Sequence, residues 1–167
     1  MTKPRLIPAL LLVAAGAFTC VTAQAQAQAP IKKAEQTNIT KAKPQPMHKV
    51  AIQVNQNDKA VMDLALNNAK NVIDYYKGKG ETVAVEIVTY GPGLHMLRAD
   101  TSPVKERIAP MSLENPNVAF IACGNTQSNQ SKAEGKPVTL ISEAKVMPSG
   151  VVRLMELQKQ GYAYIRP

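Results

Sequence analysis

Hydrophobic and polar positions follow two different periods from residue 48 onward. Short apolar runs such as KVAIQVN, ETVAVEIVTY and NVAFIAC are typical of buried β-strands. Between these runs, apolar residues recur every three or four positions, as in amphipathic helices. The pattern predicts strands over residues 49–55, 81–90, 117–123, 140–147 and 162–167. It predicts helices over residues 58–77, 102–113, 126–134 and 149–161.

Residues typical of helix ends support these boundaries. Polar residues suited to N-capping precede three of the helices: Asn57 or Asp58, Ser102 and Ser149. Pro110 is expected to fray the end of the second helix, because proline cannot donate the next helical hydrogen bond.

Strands and helices therefore alternate along the chain. Strands that are apolar on both faces and separated by helices indicate a parallel sheet covered on both sides. We predict an α/β fold, a three-layer α/β/α sandwich with a mainly parallel five-stranded sheet. In such sheets, ligands bind beyond the carboxyl ends of the strands.

Two loops at that edge have unusual sequences. Glycines there allow sharp turns and the close approach of a partner, although ordinary turn chemistry also explains them. The candidate binding residues are Tyr90, Gly91 and Gly93 in the first loop, and Gly124, Asn125 and Thr126 in the second. Cys123 ends the strand before the second loop and is the candidate chemical group.

The first residues have the order of a secretory signal peptide. Lys3 and Arg5 precede an apolar stretch, and TAQAQAQA then offers cleavage sites between residues 25 and 29. We expect residues 1–25 to be removed on export, leaving a periplasmic chain with no transmembrane segment. A lipoprotein signal at Cys20 is the alternative, but Ala-Phe-Thr before it lacks the usual leucine and small residues.

The net charge of +8 raises the possibility of nucleic-acid binding. Most of the excess positive charge lies before Val50, and from Val50 onward the chain has 13 Lys and Arg and 11 Asp and Glu. A nearly neutral domain has no phosphate-binding face, so no nucleic-acid partner is predicted. Residues 26–47 are rich in Gln, Ala, Lys and Pro and predict a flexible linker before a domain over 48–167.

Three segments resemble the DsrE/DsrF-like family, in particular an exported and poorly characterised branch: VTYGPGLHML, NVAFIACGNTQ and VMPSGVVRLMELQKQGYAYIRP. The resemblance spans residues 48–167 and implies a homotrimer or homohexamer. Better-known members pass on sulfur as a cysteine persulfide, which implies a sulfur donor or acceptor protein, or a small sulfur species, as partner.

Two hypotheses concern Cys123. If a helix follows it, the helix N-terminus favours a thiolate or persulfide anion, and His95 in the other loop is a candidate proton relay. Alternatively, the protein is a non-catalytic oligomeric module that binds a small ligand or a partner, and Cys123 only packs. Full burial of the sulfur without a pocket favours the second hypothesis.

Other chemistry has little support. Cys123, His95 and Met96 make a soft set of metal ligands, but no paired-cysteine or paired-histidine spacing accompanies them. The chain shows no Ser-His-Asp spacing, phosphate loop or complete dinucleotide fingerprint. We therefore predict no metal and no cofactor. If the protein is a sulfur carrier or transferase, it has no classical set of catalytic residues.

Overall fold

A five-stranded sheet forms the centre of the computed structural model, which describes residues 47–167. Its strands are β1 (Met47–Val54), β2 (Thr82–Thr89), β3 (Val118–Cys123), β4 (Ala144–Met147) and β5 (Ala163–Ile165). Their spatial order is β4-β3-β2-β1-β5, and every pair of neighbours is parallel. Because the strands are parallel, the carboxyl ends of β1 to β4 lie at the same edge of the sheet.

Four α-helices and one 3₁₀ helix connect the strands. They are α1 (Lys59–Gly78), α2 (Lys105–Glu114), α3 (Gly124–Glu134), α4 (Gly150–Lys159) and the 3₁₀ helix Gly91–Leu97. Asp58 caps α1 by accepting from the Ala60 N–H at 2.7 Å, and Ser149 caps α4 by accepting from the Val152 N–H. These two predicted caps are confirmed.

The larger core lies between the sheet and the helices α1 and α2. Alternate residues of the central strands point into it, including the fully buried Ile52, Ile87 and Phe120. Met62 of α1 and Ile108 of α2 pack against them. The strands advance in one direction from β1 to β4, so right-handed crossovers place their helices on the same face.

The chain returns across the sheet between β4 and β5, and α4 covers the opposite face. Leu154 and Leu157 of α4 pack there on Ala51, Val88 and Ile121. The helices on both faces of a parallel sheet confirm the predicted three-layer α/β/α sandwich.

Several predicted boundaries were wrong in detail. β4 begins at Ala144 because a turn at residues 142–143 precedes it, and Leu140 instead forms an isolated antiparallel bridge with Arg98. The second helix begins at Lys105 rather than Ser102, whose hydroxyl instead donates to the Met96 carbonyl at 2.5 Å. Pro110 lies inside that helix, where its exposed position lets water satisfy the carbonyl it leaves unpaired.

The largest difference concerns the loop after β2. It forms a seven-residue 3₁₀ helix and sends Leu94, Met96 and Leu97 into the larger core. The predicted signal peptide, and the linker up to residue 46, lie outside the described residues, whereas Met47 already belongs to β1. No helix within residues 47–167 is long and apolar enough to span a bilayer.

Candidate functional site

The two glycine-containing loops meet at the carboxyl edge of the sheet. The Gly91 N–H donates to the Thr126 hydroxyl oxygen at 3.0 Å, and the Gln130 side-chain amide donates to the Gly91 carbonyl at 3.3 Å. Gly91 has a φ of 53°, a conformation that glycine adopts without strain. The site therefore joins the start of the 3₁₀ helix to the start of α3.

A third segment completes the site, and the sequence reasoning missed it. A Cβ atom on Gly150 would lie 3.1 Å from the Tyr90 Cβ and 3.3 Å from the Cys123 Cβ. The Asn125 N–H also donates to the Pro148 carbonyl at 3.1 Å. The start of α4 thus packs directly beside the cysteine. A signal was present, because Pro-Ser-Gly follows the fourth strand at the same edge of the sheet.

The thiol of Cys123 is nearly enclosed, with 5% of the residue exposed. Burial has the largest single influence and raises the pKa of this thiol. The Thr126 hydroxyl and the N–H groups of Gly150, Thr126 and Asn125 act in the opposite direction. Their combined effect outweighs burial, so the pKa of Cys123 lies below that of an ordinary cysteine.

The amides act on the sulfur mainly as oriented dipoles. Cys123 is the N-cap residue of α3, yet its side chain makes no capping hydrogen bond. Its sulfur instead faces the first N–H groups of α3 and of α4, where both helix dipoles have their positive ends. The Thr126 hydroxyl lowers the pKa of the thiol further, and its oxygen accepts from the Gly91 N–H.

Of the other predicted residues, His95 lies apart from this group. Its Nδ1 atom is 3.5 Å from the Thr101 hydroxyl, and among the described contacts it shares no partner with Cys123. Its role as a proton relay therefore stays a prediction without a supporting contact.

Gly93 and Met96 contribute to packing rather than to the surface of the site. A Cβ atom on Gly93 would lie 2.2 Å from the Val54 carbonyl oxygen, so this glycine allows two backbone segments to touch. Met96 is fully buried in the larger core. Within residues 47–167, no three His, Cys, Asp or Glu side chains are grouped to hold a metal ion.

Three depressions surround the cysteine without reaching it. One of about 390 Å³ is lined by Gly91 and Thr126, and one of about 590 Å³ begins at Gly124. The third, of about 170 Å³, borders Met147 and Ser149. Cys123 lines none of these three, whereas the residues that follow it, Gly124 and Thr126, line two of them.

Neither a family model nor a curated protein matches the chain. Among solved structures, it is similar to a protein of unknown function, MTH1491 from Methanobacterium thermoautotrophicum, with 29% sequence identity and a TM-score of 0.61. The similarity covers 72% of this chain and 99% of that chain. This similarity supports the fold and gives no information on activity.

Proposed function

We propose that this protein accepts sulfane sulfur on Cys123 and holds it as a persulfide. The observation that carries this proposal is the burial of Cys123 between the starts of two helices, α3 and α4. Such surroundings favour a thiolate, and they favour a persulfide anion for the same reason. The resemblance to the DsrE/DsrF-like family implies the same chemistry.

The proposed step is a transfer between sulfur atoms. The Cys123 thiolate attacks the outer sulfur of a donor persulfide, R–S–SH, and forms a new S–S bond to it. The S–S bond of the donor breaks and its electron pair leaves with the thiolate R–S⁻. The proton stays on the transferred sulfur, so atoms and charge balance without an external oxidant.

Persulfide formation should depend on the sulfur and on the Thr126 hydroxyl. After exposure to polysulfide, the mass of the wild-type protein is expected to increase by about 32 Da, the mass of one sulfur atom, for each sulfur added. The mass of Cys123→Ser is expected to stay unchanged. Thr126→Val should raise the pKa of the thiol and slow alkylation near neutral pH, because it removes the hydroxyl group that lowers this pKa. Thr126→Ser retains that hydroxyl and serves as the matched control.

Mass spectrometry and the pH dependence of alkylation provide the measurements. An alkylation profile with the ordinary cysteine pKa of about 8.5, together with no sulfur adduct, would contradict the proposal.

A second function has its own supporting observation. Cys123 is 5% exposed and lines none of the surrounding depressions, as expected for a residue that only packs. The protein would then be a non-catalytic oligomeric module that binds a small ligand or a partner at this edge. Normal folding and assembly of Cys123→Ser, combined with an unreactive wild-type thiol, would favour this function.

We further propose that the protein forms a homotrimer or homohexamer through the outer surface of α4. Val151, Val152 and Met155 are each at least half exposed on that helix. Their burial between subunits would contribute about 25 cal/mol per Å² before the costs of association. An exported, periplasmic location also remains part of the proposal, and N-terminal sequencing of exported protein tests it.

Assembly should depend on the α4 surface. The double variant Val152→Lys, Met155→Lys is expected to be monomeric at micromolar concentration in light scattering, because charged groups oppose burial of this surface. Leu113→Lys is the control, since Leu113 is 87% exposed on α2 and lies on the other face of the sheet. A wild-type protein that is only monomeric under these conditions would refute the proposal.

A further inference from the structure

Helix α3 differs from the other helices because none of its residues belongs to a hydrophobic core. Its sequence, GNTQSNQSKAE, has no large apolar residue, whereas α1, α2 and α4 each place side chains in a core. Tertiary packing of an apolar face normally provides most of the stability of a helix this short. Helix α3 lacks that contribution.

Polar contacts hold α3 in place instead. Thr126 and Gln130 reach Gly91, and the Gln127 side-chain amide donates to the Val138 carbonyl at 2.9 Å. The attachment is incomplete, because the side-chain oxygen of Gln130 is buried and has no partner among the described residues. Elements with few buried apolar contacts are the first to open in native proteins.

The strongest contact lies at the far end of the helix. Glu134 forms an ion pair with the buried Arg98, and Arg98 also binds Asp100 at 2.8 and 2.9 Å. Arg98 therefore keeps one partner when Glu134 leaves. Loss of Glu134 would release the end of α3 and leave the guanidinium paired.

Glycines flank the helix on both sides. Gly124 is its first residue, directly after β3, and Gly135 follows its last residue with a φ of 65°. Cys123 itself stays in the sheet, where it pairs with Met147 of β4. The backbone can thus change direction at both ends of α3 while the cysteine remains in place.

We propose that α3 is a lid over Cys123, which opens as a unit while the sheet and the other helices stay folded. Of the four groups directed at the sulfur, three belong to Asn125 and Thr126 of α3, and the fourth is the Gly150 N–H of α4. In the closed state only 5% of Cys123 is exposed, and movement of α3 would widen the access of a donor to the sulfur. The Gly150 dipole remains beside the sulfur in the open state. Admission of a sulfur donor rests on the proposed function, but the opening itself does not.

The test uses the full chain and two readouts that require no persulfide. Hydrogen exchange compares the amides of α3 with those of α1, and a neutral alkylating reagent reports access to Cys123. In the wild type, α3 amides are expected to exchange at least tenfold faster than the buried amides of α1. Glu134→Gln should accelerate both α3 exchange and alkylation about two- to fivefold, as expected for loss of a partly exposed ion pair.

Glu106→Gln is the matched control, because Glu106 is an exposed glutamate in the first turn of a different helix, α2. It is expected to leave both rates unchanged. If the amides of α3 exchange at the same rate as those of α1, or if Glu134→Gln does not accelerate alkylation, the proposal that α3 is a lid is wrong. Absence of a persulfide would instead count against the proposed function, and the exchange result would stand.

Discussion

Replacement of Gly93 by alanine is expected to destabilise the domain by about 3 kcal/mol, at the upper end of what an extra methyl group costs in a packed core. The new Cβ atom would lie 2.2 Å from the carbonyl oxygen of Val54 and 2.7 Å from the Cα of Asn55. Both are backbone atoms, so no side-chain rotation relieves the clash. Either the 3₁₀ helix or the end of β1 must move.

The position of β1 makes this movement costly. It pairs with β2 on one side and β5 on the other, and the Tyr90 N–H donates to the Val54 carbonyl at 3.2 Å. The movement therefore disturbs the sheet and the loop that carries Tyr90 and Gly91. Denaturant unfolding should show the loss of stability together with faster alkylation of Cys123.

Gly78→Ala provides the control. A Cβ atom on Gly78 meets nothing within 4 Å, and Gly78 is the last residue of α1. Alanine there should leave stability unchanged or raise it by up to about 1 kcal/mol, because it has the higher helix propensity. If Gly93→Ala were as stable as the wild type, the close approach of the 3₁₀ helix to β1 would be wrong.

The periodic parts of the fold were predictable because one local pattern determined each of them. β2 and β3 are apolar on both faces, and this property alone indicates a parallel sheet between two layers. α1 repeats its buried residues at Met62, Leu66 and Ala69, the spacing of one helix face. Such patterns depend on local spacing, so they can be read from a single sequence.

The 3₁₀ helix was missed because two local signals disagreed. Gly91-Pro92-Gly93 is typical of a turn, whereas Leu94 and Leu97, three residues apart, indicate a buried helical face. The start of α3 was placed two residues late for a similar reason. Gly124 has a low helix propensity, so a helix start was not expected there; glycine suits the position because a Cβ atom would lie 3.3 Å from the Met147 carbonyl oxygen.

The candidate site was predictable only in part. Topology alone places the loops after β2 and β3 at one edge, so Tyr90, Gly91 and Thr126 were expected near Cys123. Contacts between distant segments depend on how far each helix reaches. Pro-Ser-Gly after the fourth strand indicates that the start of α4 lies at the same edge, but no local pattern gives its approach to Cys123 or the absence of a shared partner between Cys123 and His95.

Loss of the Arg153 guanidinium should cause the other large decrease in stability, because it leaves the Glu86 carboxylate buried and unpaired on the face of the sheet that α4 covers. Arg153 donates to Glu86 of β2 at 2.5 and 2.9 Å, and Glu86 is only 9% exposed. Removal of one partner from a buried ion pair typically costs about 3–5 kcal/mol. Arg153 is itself partly exposed, so we expect Arg153→Met to cost about 3 kcal/mol, the lower end of that range.

A double-mutant cycle separates the stranded charge from lost packing. The double variant Glu86→Leu, Arg153→Met should recover most of the stability, because apolar residues replace both charges. Arg107→Met is the control: Arg107 binds Asp63 at 2.6 Å with a half-exposed side chain, and its loss should cost less than about 1 kcal/mol. Denaturant unfolding of the wild type, Glu86→Leu, Arg153→Met and the double variant provides the measurement. A double variant no more stable than Arg153→Met would exclude the unpaired charge as the cause.

The same cycle reports on the candidate site. Arg153 lies one turn after Gly150, and its bonds to Glu86 help to hold the start of α4 over the sheet. If α4 shifts in Arg153→Met, the Gly150 N–H moves away from the Cys123 sulfur, and the pKa of the thiol should rise. The pH profile of alkylation should therefore move upward in Arg153→Met and return towards that of the wild type in the double variant. An unchanged profile in Arg153→Met, despite lower stability, would show that the start of α4 is held by Ser149 and its own packing rather than by this ion pair.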